Sequence, residues 1–227
     1  MNTDTNNLIS HLQECITAER KHLLEDKILE RTRSITIVLE NIFQARNISA
    51  SMRSADCFGV QDVHIIENDN KFEDNTEVSL GASKWITVNK FNQKKNNTID
   101  AITSLKSEGY KIIACTPHKP EITLEEIDLN NKVALIFGTE VRGISAQALN
   151  MADYKMSIPM YGFTESLNIS VSVSICLQHL TTQLRKGDKK WQLNDVAQNE
   201  VLLQWLMNSI KSSKQIAEAF RKKHKRK

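Results

Sequence analysis

The sequence predicts an α/β fold with a mostly parallel sheet and helices on both faces. Short, continuous apolar runs rich in Ile and Val recur along the chain, and most are followed by a stretch of helical periodicity. Those runs end abruptly in Gly, Pro, Thr and Asn. Such endings place the loops along the carboxyl edge of the sheet, where ligands of open α/β folds bind.

Taken in order, residues 5–24 read as one amphipathic helix, with Leu8, Leu12, Ile16 and Leu23 near one face. Residues 35–39 form a buried-type strand. Asn47 then caps a helix from about 48 to Gly59, its C′ residue, and Arg53 projects from that helix. Residues 63–66 are the next strand, and a strand–helix–strand unit of this kind joins parallel strands through a right-handed crossover. The polar segment 67–81 reads as a mobile loop before a short strand at 81–88. A helix over 98–108 stops at Gly109, and a strand over 111–115 is cut off by Thr116, Pro117 and Pro120. Residues 133–137 are the most continuous apolar strand. Directly after it, Gly138 allows close backbone approach to a ligand, Glu140 puts a carboxylate at the same edge, Gly143 permits a sharp turn, and Ser145 caps a helix to about Met151. The last strand ends over 156–158 and turns through Pro159 and Gly162. Ser166 and Asn168 are N-cap candidates for the apolar helix that follows to 184. Beyond a charged linker at 185–190, two helical stretches, 195–210 and 212–226, complete the chain.

The chain's 227 residues accommodate one domain with appendages or two small ones. Its four cysteines are scattered without a CxxC, and its six histidines lack metal-ligand spacing, so neither a metal site nor a disulfide framework is expected. No apolar run reaches membrane-span length and the first residues lack a signal-peptide pattern, which fits a reducing cytoplasm. Residues 211–227 hold eight of the 30 Lys and Arg but one of the 27 acids, so the remaining 22 basic and 26 acidic residues leave the body at −4. A basic tail on an acidic body suits a polyanion partner or a merely solubilising end. GxGxxG, Walker, GxSxG and HExxH motifs are absent, which removes the common nucleotide-binding, hydrolase and metalloprotease readings.

Three loops in order carry a resemblance: Asn47-Ile48-Ser49-Ala50-Ser51-Met52-Arg53; Phe137-Gly138-Thr139-Glu140-Val141-Arg142-Gly143-Ile144-Ser145; and Ile158-Pro159-Met160 through Ser166-Leu167-Asn168-Ile169-Ser170-Val171. Together they resemble the three-motif signature of the SpoU branch of the SPOUT RNA methyltransferases, best its TrmH type, over about residues 30–185. The resemblance implies a helical extension over 1–30, a methyltransferase core over 31–185 with a deep C-terminal trefoil knot, and a basic helical extension over 186–227. It also implies a homodimer whose active site is completed across the interface, and methyl transfer from S-adenosylmethionine to a ribose 2′-hydroxyl of tRNA, at the D-loop guanosine 18. Cys115, Thr116, Gly138, Ile158 and Leu167 would hold the cofactor. Read on their own, Ile158 and Leu167 also suit an ordinary core. Arg53 is the residue the resemblance marks for catalysis, with Asn47, Glu140, Ser166 and Asn168 organising the site; each of these polar residues also suits a cap or turn. The family proposal makes this arginine a base. A guanidinium holds its proton too tightly for that at neutral pH, so a grip on phosphate and stabilisation of the developing alkoxide fits better. RNA contacts fall to Arg185 and Lys186 and, by charge alone, to Arg221, Lys222 and Lys223 of the tail. The alternatives are a 2′-O-methyltransferase of rRNA or of another tRNA position, and an RNA-binding protein without catalysis.

Overall fold

The computed structural model describes residues 3–118 and 120–224. The elements are α1 (Thr3–Gln13), α2 (Ala18–Ile28), β1 (Ile35–Glu40), α3 (Ala45–Cys57), β2 (Asp62–Ile66), α4 (Thr76–Ser79), β3 (Thr87–Phe91), α5 (Thr98–Ser107), β4 (Tyr110–Cys115), β5 (Lys132–Phe137), α6 (Ala146–Met151), β6 (Tyr154–Met156), α7 (Ile169–Lys186), α8 (Asp195–Ser209) and α9 (Ser213–His224), with short 3₁₀ turns at Ala82–Lys84 and Leu124–Glu126. They form two compact units, Thr32–Trp191 and the described parts of Met1–Arg31 with Gln192–Lys227.

The larger unit is built on a six-stranded sheet, ordered β3-β2-β1-β5-β4-β6 and parallel throughout. Every residue of β1 is buried, as expected of a strand covered on both faces. On one face Ile37, Leu39, Leu135 and Phe137 pack with Ile48 and Met52 of α3 and with Val173 and Leu177 of α7. The other face sets Val38, Ala134 and Ile136 against Ala101, Ile102 and Leu105 of α5 and Ala148 of α6.

Four expectations need correction. The predicted single helix over 5–24 is two, because the Thr17 hydroxyl accepts from Arg20 N at 3.2 Å and starts α2 afresh. The register therefore shifts, and Leu24 is buried while Leu23 is 43% exposed. The segment 67–81 is laced down rather than bare. Phe72 is buried, Ser49 Oγ donates to Asp74 Oδ1 at 3.1 Å, and Asn41 Oδ1 accepts from the N–H groups of Asp69 and Asn70. The strand expected at 81–88 begins only at Thr87, because Ala82–Lys84 is a 3₁₀ turn. The last strand is Tyr154–Met156, so Ile158 lies in the loop beyond it. Pairing with β4 stops at Cys115, where Thr116 N donates to Met156 O at 2.9 Å.

In the smaller unit, Leu8 and Leu12 of α1, Leu24 and Ile28 of α2, Trp205 and Leu206 of α8, and Ala217 and Phe220 of α9 are buried. The Arg31 guanidinium lies 5.6 Å over the Trp205 ring, and Phe220 stacks between His11 and His224. Among the described residues no helix is long and apolar enough to cross a membrane.

Candidate active site

The loops that leave β4, β5 and β6 all emerge at the carboxyl edge of the sheet and enclose one cavity of about 690 Å³. Its lining includes Cys115 and Thr116 after β4, Gly138 and Glu140 after β5, and Ile158, Ser166, Leu167 and Asn168 after β6. A space of this size suits a ligand of several hundred cubic ångströms, held by apolar side chains and a few placed polar groups.

A chain of amides and a carboxylate crosses the rim. Asn47 Nδ2 donates to Glu140 Oε1 at 2.6 Å, and Asn168 Nδ2 donates to Asn47 Oδ1 at 3.1 Å. Asn168 Oδ1 in turn accepts from Ser170 N and Ser170 Oγ, at 2.9 and 2.7 Å, so Asn168 is the true N-cap of α7. Glu140 Oε2 accepts from Phe43 N at 3.4 Å. Three motifs far apart in the chain are thereby joined by side chains.

The sequence assigned Asn47 as the cap of its helix. Instead α3 begins three residues earlier, after Gln44, which makes no side-chain cap bond. Asn47 lies within the first turn, buried, and both ends of its amide face the other two loops. Ser166 lines the cavity two residues ahead of the cap. Gly138 was read as admitting a ligand, yet the space beside its Cα is filled by this chain. A Cβ there would collide with the backbone of Gly143 and Ile144, which fold back in a tight hairpin. Thr139 N donates to Gly143 O at 3.0 Å, Gly143 N returns to Thr139 O at 2.9 Å, and Gly143 has φ +67°.

Arg53 does not join this cluster. It is exposed on α3 and makes no hydrogen bond or ion pair among the described residues. Cys115 sits partly buried at the end of β4. Burial pushes its thiol up, with the Cys176 thiol beside it adding to the shift, so Cys115 meets a ligand as a neutral wall. Of the RNA-binding candidates, Arg185 lies 4.8 Å over the Trp191 ring and donates from Nη1 to Phe58 O at 3.3 Å. Lys186 is exposed at the end of α7. Arg221, Lys222 and Lys223 are exposed on the last turn of α9, in the smaller unit.

Sequence reasoning missed Glu40. Its carboxylate is 2% exposed at the end of β1 and accepts from Thr98 Oγ1 at 2.7 Å, Ser145 N at 2.9 Å and Ser145 Oγ at 2.7 Å. It ties the starts of α5 and α6 together and anchors the loop that carries Glu140. An acid ending an otherwise apolar strand was the available signal. The contact of Ser54 Oγ with Ser174 Oγ at 2.7 Å, which fastens α3 to α7, had no such signal.

Residues 34–178 match the SpoU rRNA Methylase family. The chain is 42% identical to a tRNA (guanosine(18)-2′-O)-methyltransferase of Borreliella burgdorferi, over 93% of this chain and 95% of that protein. Its fold is similar to the A. aeolicus TrmH/SpoU tRNA modifying enzyme, with a TM-score of 0.75 and 27% identity, covering 85% of this chain and 98% of that one. It also resembles the SpoU methyltransferase AviRb from Streptomyces viridochromogenes, solved in complex with the cofactor AdoMet. That likeness has a TM-score of 0.58, 20% identity and coverage of 71% and 62%, and it shows the fold alone.

Proposed function

Because the chain belongs to the SpoU methylase family, we propose that it methylates the ribose 2′-hydroxyl of a tRNA guanosine, the D-loop position 18. S-adenosylmethionine is the donor in this reading. The single observation that carries it is the Glu140–Asn47–Asn168 chain on the rim of the cavity.

The residues present fit that donor. Ile158, Leu167 and Met156 offer apolar faces to an adenine, Thr116 and the backbone after β5 offer polar edges, and Glu140 and Glu165 offer carboxylates to a cationic ligand. When bound, the donor supplies an electrophilic methyl group on a sulfonium. This chain supplies position. Cys115, Thr116, Gly138, Ile158 and Leu167 shape the cavity wall, Ser166 and Asn168 hold the loop before α7, and Asn47 and Glu140 lock that loop to α3. Arg53, on the same helix as Asn47, grips a substrate phosphate with its forked donors and stabilises the developing negative charge on the 2′-oxygen as its proton passes to solvent water.

Three further parts complete the reading. The C-terminal part of the Thr32–Trp191 unit forms a trefoil knot. In support, β6 pairs at the sheet edge and the chain then returns through 157–168 to α7, which packs on α3. The protein acts as a homodimer in the cytoplasm. Support comes from Val171 and Ile175, exposed one turn apart on α7, and from Tyr161 and Phe163, fully exposed on the preceding loop. The extensions at 1–30 and 186–227, with Lys186, Arg221, Lys222 and Lys223, bind the tRNA backbone, and Arg185 shapes the end of α7 through its contact with Trp191.

Incubation with labelled S-adenosylmethionine and unmodified tRNA transcripts, followed by mass spectrometry, tests the reading. One 2′-O-methylguanosine in the D-loop is expected. Methylation of ribosomal RNA but not tRNA would overturn the substrate, and failure to bind the cofactor would overturn the reaction.

A further inference from the structure

We propose that Phe43 is a base-stacking platform, holding a nucleobase of the single-stranded substrate loop beside the Glu140–Asn47–Asn168 chain. The inference rests on the RNA methyltransferase reading and names a contact that reading leaves unassigned.

Phe43 is 74% exposed in the short loop between β1 and α3. A lone exposed aromatic is ordinary on a protein surface. This one differs in where its backbone is fixed. Its own N–H donates to Glu140 Oε2, whose other oxygen holds Asn47, so the ring is rooted at the rim of the cavity. The chain on either side is pinned. Ile42 is buried in the core, Asn41 N donates to Ile66 O at 2.8 Å, and Asn47 N donates to Gln44 O at 2.9 Å. Asn41 itself sits at φ +53°, held by the backbone N–H groups of Asp69 and Asn70. A ring on so constrained a loop loses little freedom on stacking, which favours a planar partner.

The neighbouring charge points to the kind of partner. Arg46 and Arg53 are both exposed on α3, three and ten residues beyond Phe43. Exposed guanidinium groups on the helix that follows an exposed aromatic match single-stranded RNA, whose phosphates take the cations while an unstacked base takes the ring. A 2′-hydroxyl also becomes accessible when its nucleotide leaves the stack, and a platform at the site rewards that geometry. The rival occupant is an apolar side chain from a second copy of the protein, which would make no use of either arginine.

The test compares wild type, Phe43→Leu and Phe43→Trp by KM and kcat on tRNA transcripts, cofactor Kd by calorimetry, and sedimentation. Loss of the ring in Phe43→Leu is expected to raise KM for tRNA about ten-fold. Phe43→Trp is expected to restore it, and both variants to keep the wild-type cofactor Kd and sedimentation. A Phe43→Leu enzyme equal to wild type overturns the inference, as does a Phe43→Trp enzyme as impaired as Phe43→Leu. Altered sedimentation of Phe43→Leu would overturn it in favour of a subunit contact. A wild-type protein that binds cofactor and leaves tRNA unmethylated is a separate outcome; it overturns the substrate reading and this inference with it.

Discussion

Asn47 shows at the residue scale how little of a site lies in any one motif. One amide, 7% exposed, donates to a carboxylate 93 positions away and accepts from an amide 121 positions away. The residue types were legible in the sequence because each motif pairs them with turn formers. Their partners were not, because a cap and a cross-loop bridge call for the same short polar side chains. Arg53 stands apart from this chain, exposed and ready for an external anion, and its two-pronged geometry is what a lysine lacks. Arg53→Lys is therefore expected to lower kcat about ten-fold or more while cofactor Kd holds, since the charge survives and the fork does not. Near-normal single-turnover rates in that variant would show that charge alone suffices. His64 makes a different residue-scale prediction. It is buried in β2 with neither ring nitrogen hydrogen-bonded among the described residues, and its ring centroid is 6.1 Å from that of Phe91. Burial lowers its pKa from the ordinary 6.5 to about 4. The folded state thus resists a proton that the unfolded chain accepts, so stability is full above pH 6.5 and falls as the pH drops toward 4. The loss sums to about 3 kcal/mol. Denaturant titrations from pH 7 to pH 4 should show this decline in the wild type and a shallower one in His64→Leu; parallel slopes would assign the decline to other groups.

Elements were the most legible scale, and their limits reveal what competes with apolar periodicity. Strands β1, β2, β4 and β5 were read to within a residue or so, because a sheet covered on both faces demands unbroken apolar runs. Where short polar side chains bond their own neighbourhood, the reading slipped. Thr17 restarted a helix, Asn41 and Asp74 laced a segment read as mobile, and β3 began six residues later than expected, beyond a 3₁₀ turn. Gly138 belongs at this scale too, because the hairpin after β5 closes against it. Gly138→Ala must displace the Gly143–Ile144 backbone, whereas a Cβ at Gly162 meets nothing within 4 Å. The first change is expected to destabilise the protein by about 1–3 kcal/mol, the cost of overpacking a tight site, and to weaken cofactor binding with it. Gly162→Ala should leave both unchanged. Calorimetric Kd values and thermal melts of the two variants would check the contrast, and equal behaviour would mean the hairpin yields freely.

For the whole molecule, the sequence divided the chain into three stretches; the described structure forms two compact units, Thr32–Trp191 and one made from the chain's two ends. Helix periodicity put Leu8 and Leu12 on an apolar face but took Leu23 where Leu24 is buried, and nothing in periodicity says which face meets which. The same grouping sharpens how the basic tail is to be tested. Removing residues 211–227 would take away Ala217 and Phe220, which are buried, and so confound RNA affinity with folding. Arg221, Lys222 and Lys223 are exposed, and replacing all three with Ala leaves that packing intact. Each phosphate neutralised by a basic side chain contributes about −0.9 to the slope of log K against log salt on B-form DNA, and about −0.7 on single strands. The triple variant is expected to flatten the slope for tRNA by about 2 if all three side chains reach phosphates. Its affinity should fall most at low salt and converge on wild type as salt rises, with the melting temperature of the protein unchanged. Binding isotherms at a series of salt concentrations would read both quantities. An unchanged slope would remove the tail from the RNA interface, leaving Lys186 and the cations of α3 to carry it.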